Sequence, residues 1–204
     1  MRSAGALLAG AAVVLAACGV LSEPETVRPL TGSELVRALR DGGHVLYLRH
    51  TRTPADAVDA PDPLGDCSRQ RLLSAAGRAD ATALGQAVRE LGVPVGQVRA
   101  SPYCRTRDTA RLAFGVVRTD DALVSPAPDG EQRVRTASAL QALLRTVPDD
   151  GNTVLVGHLT NLRLASRASP EEGGTVVFRP DGEGATLVAE VPPQGWEDLA
   201  RRLR

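Results

Sequence analysis

Short apolar segments alternate with stretches of helical periodicity along most of this sequence, and this alternation restricts the possible folds more than any other feature. Residues 44–48, 98–101, 122–124 and 153–157 are short and apolar enough to be buried strands, whereas residues 74–91 carry apolar side chains at helical spacing. Strands that are separated by helices form parallel sheets, because each connection must return to the other end of the sheet. The sequence therefore predicts an α/β fold with three layers, α/β/α, around a mainly parallel central sheet.

The remaining predicted elements are consistent with this architecture. Helices are predicted from a cap at Thr31 or Ser33 through Arg40, at residues 104–114, at about 132–147 and near the end of the chain. Extended segments are predicted at residues 175–178 and 186–191. A chain of 204 residues can bury one ordinary hydrophobic core, so a single folded domain over residues 30–204 is expected.

The charge balance bears on possible partners. Acidic and basic residues number 24 each, so the chain has no global field that would draw it onto a nucleic acid. Aromatic residues make up 2% of the sequence, which disfavours a stacking surface for single-stranded nucleic acid. All 24 basic residues are arginine, so the presence of an arginine carries no functional weight by itself. We expect no nucleic-acid partner, and any anion site must be local.

The first 18 residues have the composition of an export signal. Arg2 precedes an uncharged stretch, residues 3–22, that is rich in Ala, Leu and Val. Within it, Leu15-Ala16-Ala17-Cys18 resembles the bacterial lipobox, in which the cysteine receives a lipid. Residues 1–18 are therefore predicted to be a lipoprotein signal peptide with its lipidated Cys18, and residues 19–29 a linker; an uncleaved membrane helix is the alternative. The protein is expected to be exported and anchored to the outer face of a bacterial membrane.

The two other cysteines form an even pair once Cys18 is assigned to lipidation. Cys67 and Cys104 would then lie in an oxidising compartment, where two remaining thiols are often bridged. A disulfide between them is expected, and two unpaired buried thiols are the alternative.

Polar residues follow three of the predicted strands directly. His50 follows the first strand, the segment from Ser101 to Arg105 follows the second, and His158 follows the strand at residues 153–157. Ligands of open α/β sheets bind beyond the carboxyl ends of the strands. The sequence therefore predicts that these groups meet at one edge of the sheet.

Three motifs carry a resemblance to a known family. They are Leu48-Arg49-His50-Thr51-Arg52-Thr53, then Ser101-Pro102-Tyr103-Cys104-Arg105 with Thr109-Ala110, and finally Val156-Gly157-His158. In this order they resemble the histidine phosphatase superfamily, whose first motif is Arg-His-Gly followed by a variable residue and Thr. The resemblance covers about residues 45–180 and implies the histidine phosphatase (phosphoglycerate mutase-like) fold.

The resemblance also implies a role for each residue. His50 would be the nucleophile that accepts the phosphoryl group, because a neutral imidazole is nucleophilic near physiological pH. Arg49 and Arg105 would bind the phosphate with their fixed, paired donors. His158 would also bind the phosphate and, if protonated, donate to the oxygens of the group being transferred. No metal and no cofactor are implied.

Other residues of the same types have structural interpretations. His44 begins a strand instead of ending one and is expected to be structural, and Arg107 and Arg111 are expected to be exposed helix residues. Thr51 departs from the family pattern, because it adds a side chain where the backbone has to approach phosphate. Arg52 is either a further phosphate contact or a solvated loop residue.

The general acid, which protonates the leaving oxygen, is not assigned by any motif. Asp129 and Glu131 follow the strand predicted at residues 122–124, and Glu131 lies beyond Arg105 at a distance resembling that of the acid in one branch of the family. Glu171 and Glu172 follow the second histidine by a loop and are the alternative. Glu131 is the first candidate, and a solvated loop carboxylate is the structural interpretation of all four.

The function expected from these features is hydrolysis of phosphate monoesters outside the cytoplasm. The substrate would be a phosphorylated small molecule, or a phosphorylated peptide or other envelope component, selected by residues 53–66 and 125–131. The alternative is a lipoprotein that binds phosphate or a phosphorylated ligand with little or no catalysis. A mutase is less favoured, because an exported protein would rarely meet glycolytic substrates.

Overall fold

The structure is a computed structural model that describes residues 28–61, 63–125 and 130–203. The predicted signal peptide, Cys18, most of the predicted linker and Asp129 lie outside the described residues. Among the helices within the described ranges, none combines the length and the apolar character needed to cross a membrane.

The described residues form a six-stranded sheet. In chain order its strands are β1 (Val45–Arg49), β2 (Val95–Ala100), β3 (Arg118–Thr119), β4 (Asn152–Gly157), β5 (Thr175–Pro180) and β6 (Ala185–Val191). They lie side by side in the order β3-β2-β4-β1-β5-β6. The four strands from β3 to β1 are parallel, and β5 is antiparallel to both of its neighbours. The predicted α/β fold with a mainly parallel sheet is thus confirmed.

Helices cover both faces of the sheet. The described residues contain α1 (Gly32–Asp41), α2 (Ala75–Glu90), α3 (Cys104–Phe114), α4 (Gly130–Arg145), α5 (Leu159–Ser166) and α6 (Gly195–Arg202). Successive side chains of a strand point to opposite faces, so Leu46 and Leu48 of β1 pack with α1, α2, α3 and α6, whereas Val45 and Tyr47 pack with α4 and α5. This alternation produces the three predicted layers, with one apolar core on each side of the sheet.

One predicted strand is wrong. Residues 122–124 overlap a short 3-10 helix, Asp121–Leu123, and the edge strand β3 lies just before it. The carboxylate of Asp120 accepts a hydrogen bond from Ala122 N at 3.0 Å, and such side-chain bonds to nearby backbone favour turns over strands. Helix α5 is not among the predicted elements, because eight residues are too few to show a clear helical period.

Candidate active site

The strand-end residues lie together because β2, β4 and β1 are parallel neighbours. Arg49 of β1 is the register partner of Gly157 of β4, and His50 N donates to Gly157 O at 3.1 Å. On the other side of β4, Ser101 N donates to Val156 O at 3.0 Å. His50, Ser101 and His158 therefore meet at the carboxyl edge of the sheet, as the order of polar residues after the strands predicts.

The two imidazoles face each other at this edge. The ring centroids of His50 and His158 are 5.6 Å apart with an interplanar angle of 64°, and the residues are only 2% and 4% exposed. This separation allows both rings to contact one phosphoryl group. Arg105 is also buried and Arg49 is half-buried, so the structure brings all four side chains into one region.

The hydrogen bond of His50 determines which ring nitrogen can react. Nδ1 lies 2.9 Å from the carbonyl oxygen of Thr51. A carbonyl oxygen only accepts, so Nδ1 carries the hydrogen and the lone pair of the neutral ring is on Nε2. Nε2 of His50 is therefore the nitrogen available for nucleophilic attack.

His158 is oriented from both sides. Its Nε2 lies 3.0 Å from Ser101 Oγ, and its Nδ1 lies 3.5 Å from Arg105 Nη2. Because a guanidinium only donates, Nδ1 is the acceptor in that contact and the hydrogen of the neutral ring is on Nε2. The Tyr47 hydroxyl lies 2.9 Å from both the backbone N and the backbone O of His158. A Cβ on Gly157 would lie 2.1 Å from the Tyr47 hydroxyl oxygen, so this contact requires glycine there.

Each of the two predicted phosphate-binding arginines is held by a carboxylate. Nη1 of Arg105 lies 3.0 Å from Asp59 Oδ1, and its guanidinium carbon lies 4.4 Å from the centre of the Tyr103 ring. Arg49 donates to Pro170 O at 3.1 Å and lies 3.5 Å from Glu172 Oε1. The Nε atoms of both arginines are buried without a hydrogen-bond partner among the described residues.

Burial and positive charge keep both histidines neutral. Burial is the largest cause that lowers the pKa of His50 to about 4, and the charges of Arg105 and Arg49 lower it further, against the Thr51 carbonyl and Glu172. The pKa of His158 is lowered well below 6.5, first by burial and then by Arg105. The protonated His158 that the sequence suggests is therefore not the resting form. Protonation of His158 requires a further negative charge at the site, which a bound phosphate would supply.

The lowered pKa of His50 predicts a dependence of stability on pH. Below pH 6.5 the unfolded chain binds a proton that the folded protein excludes, so stability falls as the pH falls from 6.5 to about 4. Each pH unit in this window costs about 1.4 kcal/mol, so between pH 7 and pH 5 His50 should cost on the order of 2 kcal/mol. Chemical denaturation of the wild type and His50→Gln at both pH values measures the difference. Equal pH dependence in the two proteins would contradict the expected pKa.

Two charged residues at the site, Arg71 and Asp59, have no signal in the sequence. Arg71 donates to Glu172 Oε1 at 3.1 Å, and its own Nε is buried without a partner. Asp59 accepts from Arg71 N at 2.8 Å in addition to its contact with Arg105. Arg71 and Asp59 lie in the segment between His50 and α2, where no motif separates them from the neighbouring Arg and Asp residues. The sequence points to Glu172 as a candidate acid but not as the ion-pair partner of Arg49 and Arg71.

The candidate carboxylates for the general acid, Glu131, Glu171 and Glu172, have different surroundings in the structure. Glu131 lies in the first turn of α4, its side chain is 84% exposed, and it pairs with Arg135 one turn further on. None of its hydrogen bonds or ion pairs in the described chain reaches the two histidines. Glu171 is exposed. Glu172 does reach the site, but Thr53 N and Thr53 Oγ1 donate to its two oxygens in addition to the arginines. A carboxylate with these donors acts as an acceptor.

The predicted disulfide is present and lies beside the site. Cys67 and Cys104 are bridged, with a Cα–Cα distance of 5.8 Å and a sequence separation of 37. Cys104 is the first residue of α3, and its N donates to Gln70 Oε1 at 2.7 Å. The bridge therefore connects the segment that leads to Arg71 with the helix that carries Arg105.

Removal of the bridge should destabilise the protein strongly. A loop of this length restricts the unfolded chain enough that Cys67→Ser with Cys104→Ser should lower the free energy of unfolding by about 4 kcal/mol. Guanidinium unfolding of the double variant and of the oxidised wild type measures the change. Reduced wild type is the matched control and should behave like the double variant. A loss below about 1 kcal/mol would contradict this contribution.

Comparisons with known proteins identify the fold. No protein-family model matches the sequence, and no curated protein sequence matches it. The protein histidine phosphatase SixA complexed with tungstate matches with a TM-score of 0.53 at 17% identity, over 74% of this chain and 97% of that one. A mutant phosphoserine phosphatase from Entamoeba histolytica in complex with phosphoserine matches with a TM-score of 0.55 at 13% identity, over 74% of this chain and 98% of that one.

A mycobacterial glucosyl-3-phosphoglycerate phosphatase that complexes with VO3 matches similarly, with a TM-score of 0.53 at 17% identity, over 72% of this chain and 96% of that one. These three solved structures are members of the histidine phosphatase superfamily. The chain therefore has the histidine phosphatase (phosphoglycerate mutase-like) fold, and its two buried histidines lie at the sheet edge where such folds bind ligands.

Proposed function

We propose that the protein is a phosphatase that hydrolyses phosphate monoesters through a phosphohistidine intermediate on His50. The observation that carries this proposal is the pair of neutral, buried imidazoles 5.6 Å apart, one of them with its Nε2 lone pair free, beside the guanidiniums of Arg49 and Arg105. The solved structures of the same fold with tungstate, VO3 and phosphoserine give it further support.

Substrate binding depends on the excess of positive charge. The guanidiniums of Arg49, Arg71 and Arg105 face the two carboxylates of Glu172 and Asp59, so the cluster carries a net charge of about +1 with neutral histidines. A phosphate dianion would accept hydrogen bonds from the guanidiniums of Arg49 and Arg105. Its charge favours protonation of His158, which would then donate from Nδ1 as well as Nε2.

The reaction has two steps. In the first, Nε2 of His50 attacks phosphorus, the bond from phosphorus to the leaving oxygen breaks, and the arginines and His158 stabilise the charge on the other oxygens. In the second, water attacks the phosphohistidine, which releases phosphate and restores His50. The Thr51 carbonyl holds the Nδ1 hydrogen in both steps and so keeps the reactive tautomer.

The test is turnover of an aryl phosphate by the full chain in detergent, with a chelator present. Release of phosphate that is inhibited by vanadate is expected. The absence of turnover over a panel of aryl and alkyl monoesters would contradict the proposal. If phosphate then raised the melting temperature without turnover, the alternative of a phosphate-binding protein would replace it.

We also propose that this chemistry takes place outside the cytoplasm, on a protein anchored through lipidated Cys18. The substrate would be a phosphorylated small molecule or a phosphorylated component of the envelope. The Cys67–Cys104 disulfide supports an oxidising location. Labelling with a fatty-acid analogue should mark the wild type and not Cys18→Ser, and labelling of both proteins equally would contradict the anchor.

A further inference from the structure

The proposed phosphatase reaction needs a group that gives a proton to the leaving oxygen, and this inference rests on that function. In-line displacement puts the leaving oxygen opposite the attacking nitrogen. His50 is only 2% exposed, so attack from its Nε2 sends the leaving group toward the open side of the site. A proton donor must therefore lie on that side, within hydrogen-bond reach of the bound phosphate.

Asp59 is a carboxylate that is both partly exposed and in contact with a phosphate-binding arginine. Its side chain is 29% exposed, and its Oδ1 contacts Nη1 of Arg105, whose Nη2 contacts His158. One guanidinium thus separates this carboxylate from the inner histidine. The hydrogen bond from Arg71 N to Oδ1, at 2.8 Å, holds the carboxylate in place. Oδ2 takes part in none of the hydrogen bonds or ion pairs of the described residues that involve Asp59, so it is free to carry a proton.

The other carboxylates near the site do not meet these requirements. Both oxygens of Glu172 accept hydrogen bonds from Thr53, and Oε1 is also the partner of Arg49 and Arg71. A proton on Glu172 would cost these interactions. Glu131 pairs with Arg135 on the exposed side of α4. Among the described carboxylates, Asp59 alone combines contact with a phosphate-binding arginine and a free oxygen.

We propose that Asp59 is the general acid of the first step and the general base of the second. As the bond between phosphorus and the leaving oxygen breaks, the protonated Oδ2 gives its hydrogen to that oxygen, which leaves as the alcohol. The Asp59 carboxylate then takes a proton from the water that attacks the phosphohistidine. The products are phosphate, free His50 and protonated Asp59, so each turnover consumes one water and restores the enzyme.

Substrate binding favours the protonated carboxylate. In the structure Asp59 neutralises part of the charge of Arg105. A phosphate dianion that binds Arg105 takes over this role and places a second negative charge next to Asp59. An added negative charge beside a carboxylate favours its protonated form, which is the form that the proposed first step needs.

The test compares two substrates that differ in their need for an acid. The phenolate of a strongly acidic phenol can leave an aryl phosphate without being protonated. The alkoxide of an alkyl phosphate needs a proton in order to leave. In the full chain, Asp59→Asn should lower kcat/KM for the alkyl phosphate by a factor of about 100 or more, and that for the aryl phosphate by less than about 10. Because kcat/KM reports only the steps up to departure of the alcohol, the second step does not mask the difference. The same variant should release a burst of phenol and accumulate phosphoenzyme.

The matched control is Asp41→Asn, the same change at an exposed residue at the end of α1, which precedes β1 and so lies at the opposite end of that strand from His50. It should leave both substrates unaffected. Equal losses for both substrates in Asp59→Asn would assign Asp59 a structural role and overturn the proposal. Wild type that turns over the aryl but not the alkyl phosphate would overturn it as well. Wild type that turns over neither would instead refute the phosphatase function itself.

Discussion

Replacement of His50 by alanine is expected to lower the turnover of an aryl phosphate by a factor of about 10⁴ or more. The change removes the Nε2 lone pair that the hydrogen bond from Nδ1 to the Thr51 carbonyl makes available. It leaves the backbone bond from residue 50 N to Gly157 O, which joins β1 to β4, so the fold should survive. Steady-state assays at pH 6 to 7, with melting temperature as a check on folding, measure the effect.

The matched control for His50→Ala is His44→Ala. His44 is also buried and its Nδ1 lies 2.8 Å from the Gly42 carbonyl, but it precedes β1 and so lies at the opposite end of that strand from His50. This variant should lose stability without a comparable loss of activity. Rapid quenching of the wild type should also trap an acid-labile, base-stable phosphoryl group, which His50→Ala should lack. Turnover that survives in His50→Ala would exclude the phosphohistidine mechanism.

Replacement of Arg105 by alanine is expected to have the next largest effect, a loss of about 10³ in kcat/KM, which corresponds to about 4 kcal/mol. Arg105 is only 5% exposed and contacts both His158 and Asp59, so its charge acts where solvent screens it little. Its charge also lowers the pKa of both histidines. In Arg105→Ala the pKa of His50 should therefore rise, and nitrogen-15 NMR of the imidazoles can follow this change.

Arg107→Ala is the matched control for Arg105. Arg107 lies two residues further along α3 and is more exposed, and its side chain makes no ion pair among those of the described residues. It should retain activity within a factor of about 3, as expected for a surface substitution. Arg105→Lys should recover only part of the activity, because an ammonium keeps the charge but not the paired donors. Equal losses of kcat/KM in Arg105→Ala and Arg107→Ala would show that the effect of Arg105 does not depend on its position in the site.

Several features of this fold could be predicted because they depend on short stretches of sequence. The apolar segments of β1 and β4 are followed directly by His50 and His158, and parallel strands end at the same edge. The disulfide between Cys67 and Cys104 followed from the count of cysteines and the expected compartment. The strand predicted at residues 122–124 failed, because the Asp120 side chain favours a turn that apolar patterning does not reveal.

The sequence by itself determined the layers of the fold and the edge at which the histidines meet, since the period of apolar residues and the residues that end each strand are local properties. Only the tertiary structure decided which charges surround these histidines. Asp59 and Arg71 reach the site from the segment between β1 and α2, and Glu172 from the segment between α5 and β5. The ionisation of His50 and His158 also depends on burial and on these distant charges, which no local pattern encodes.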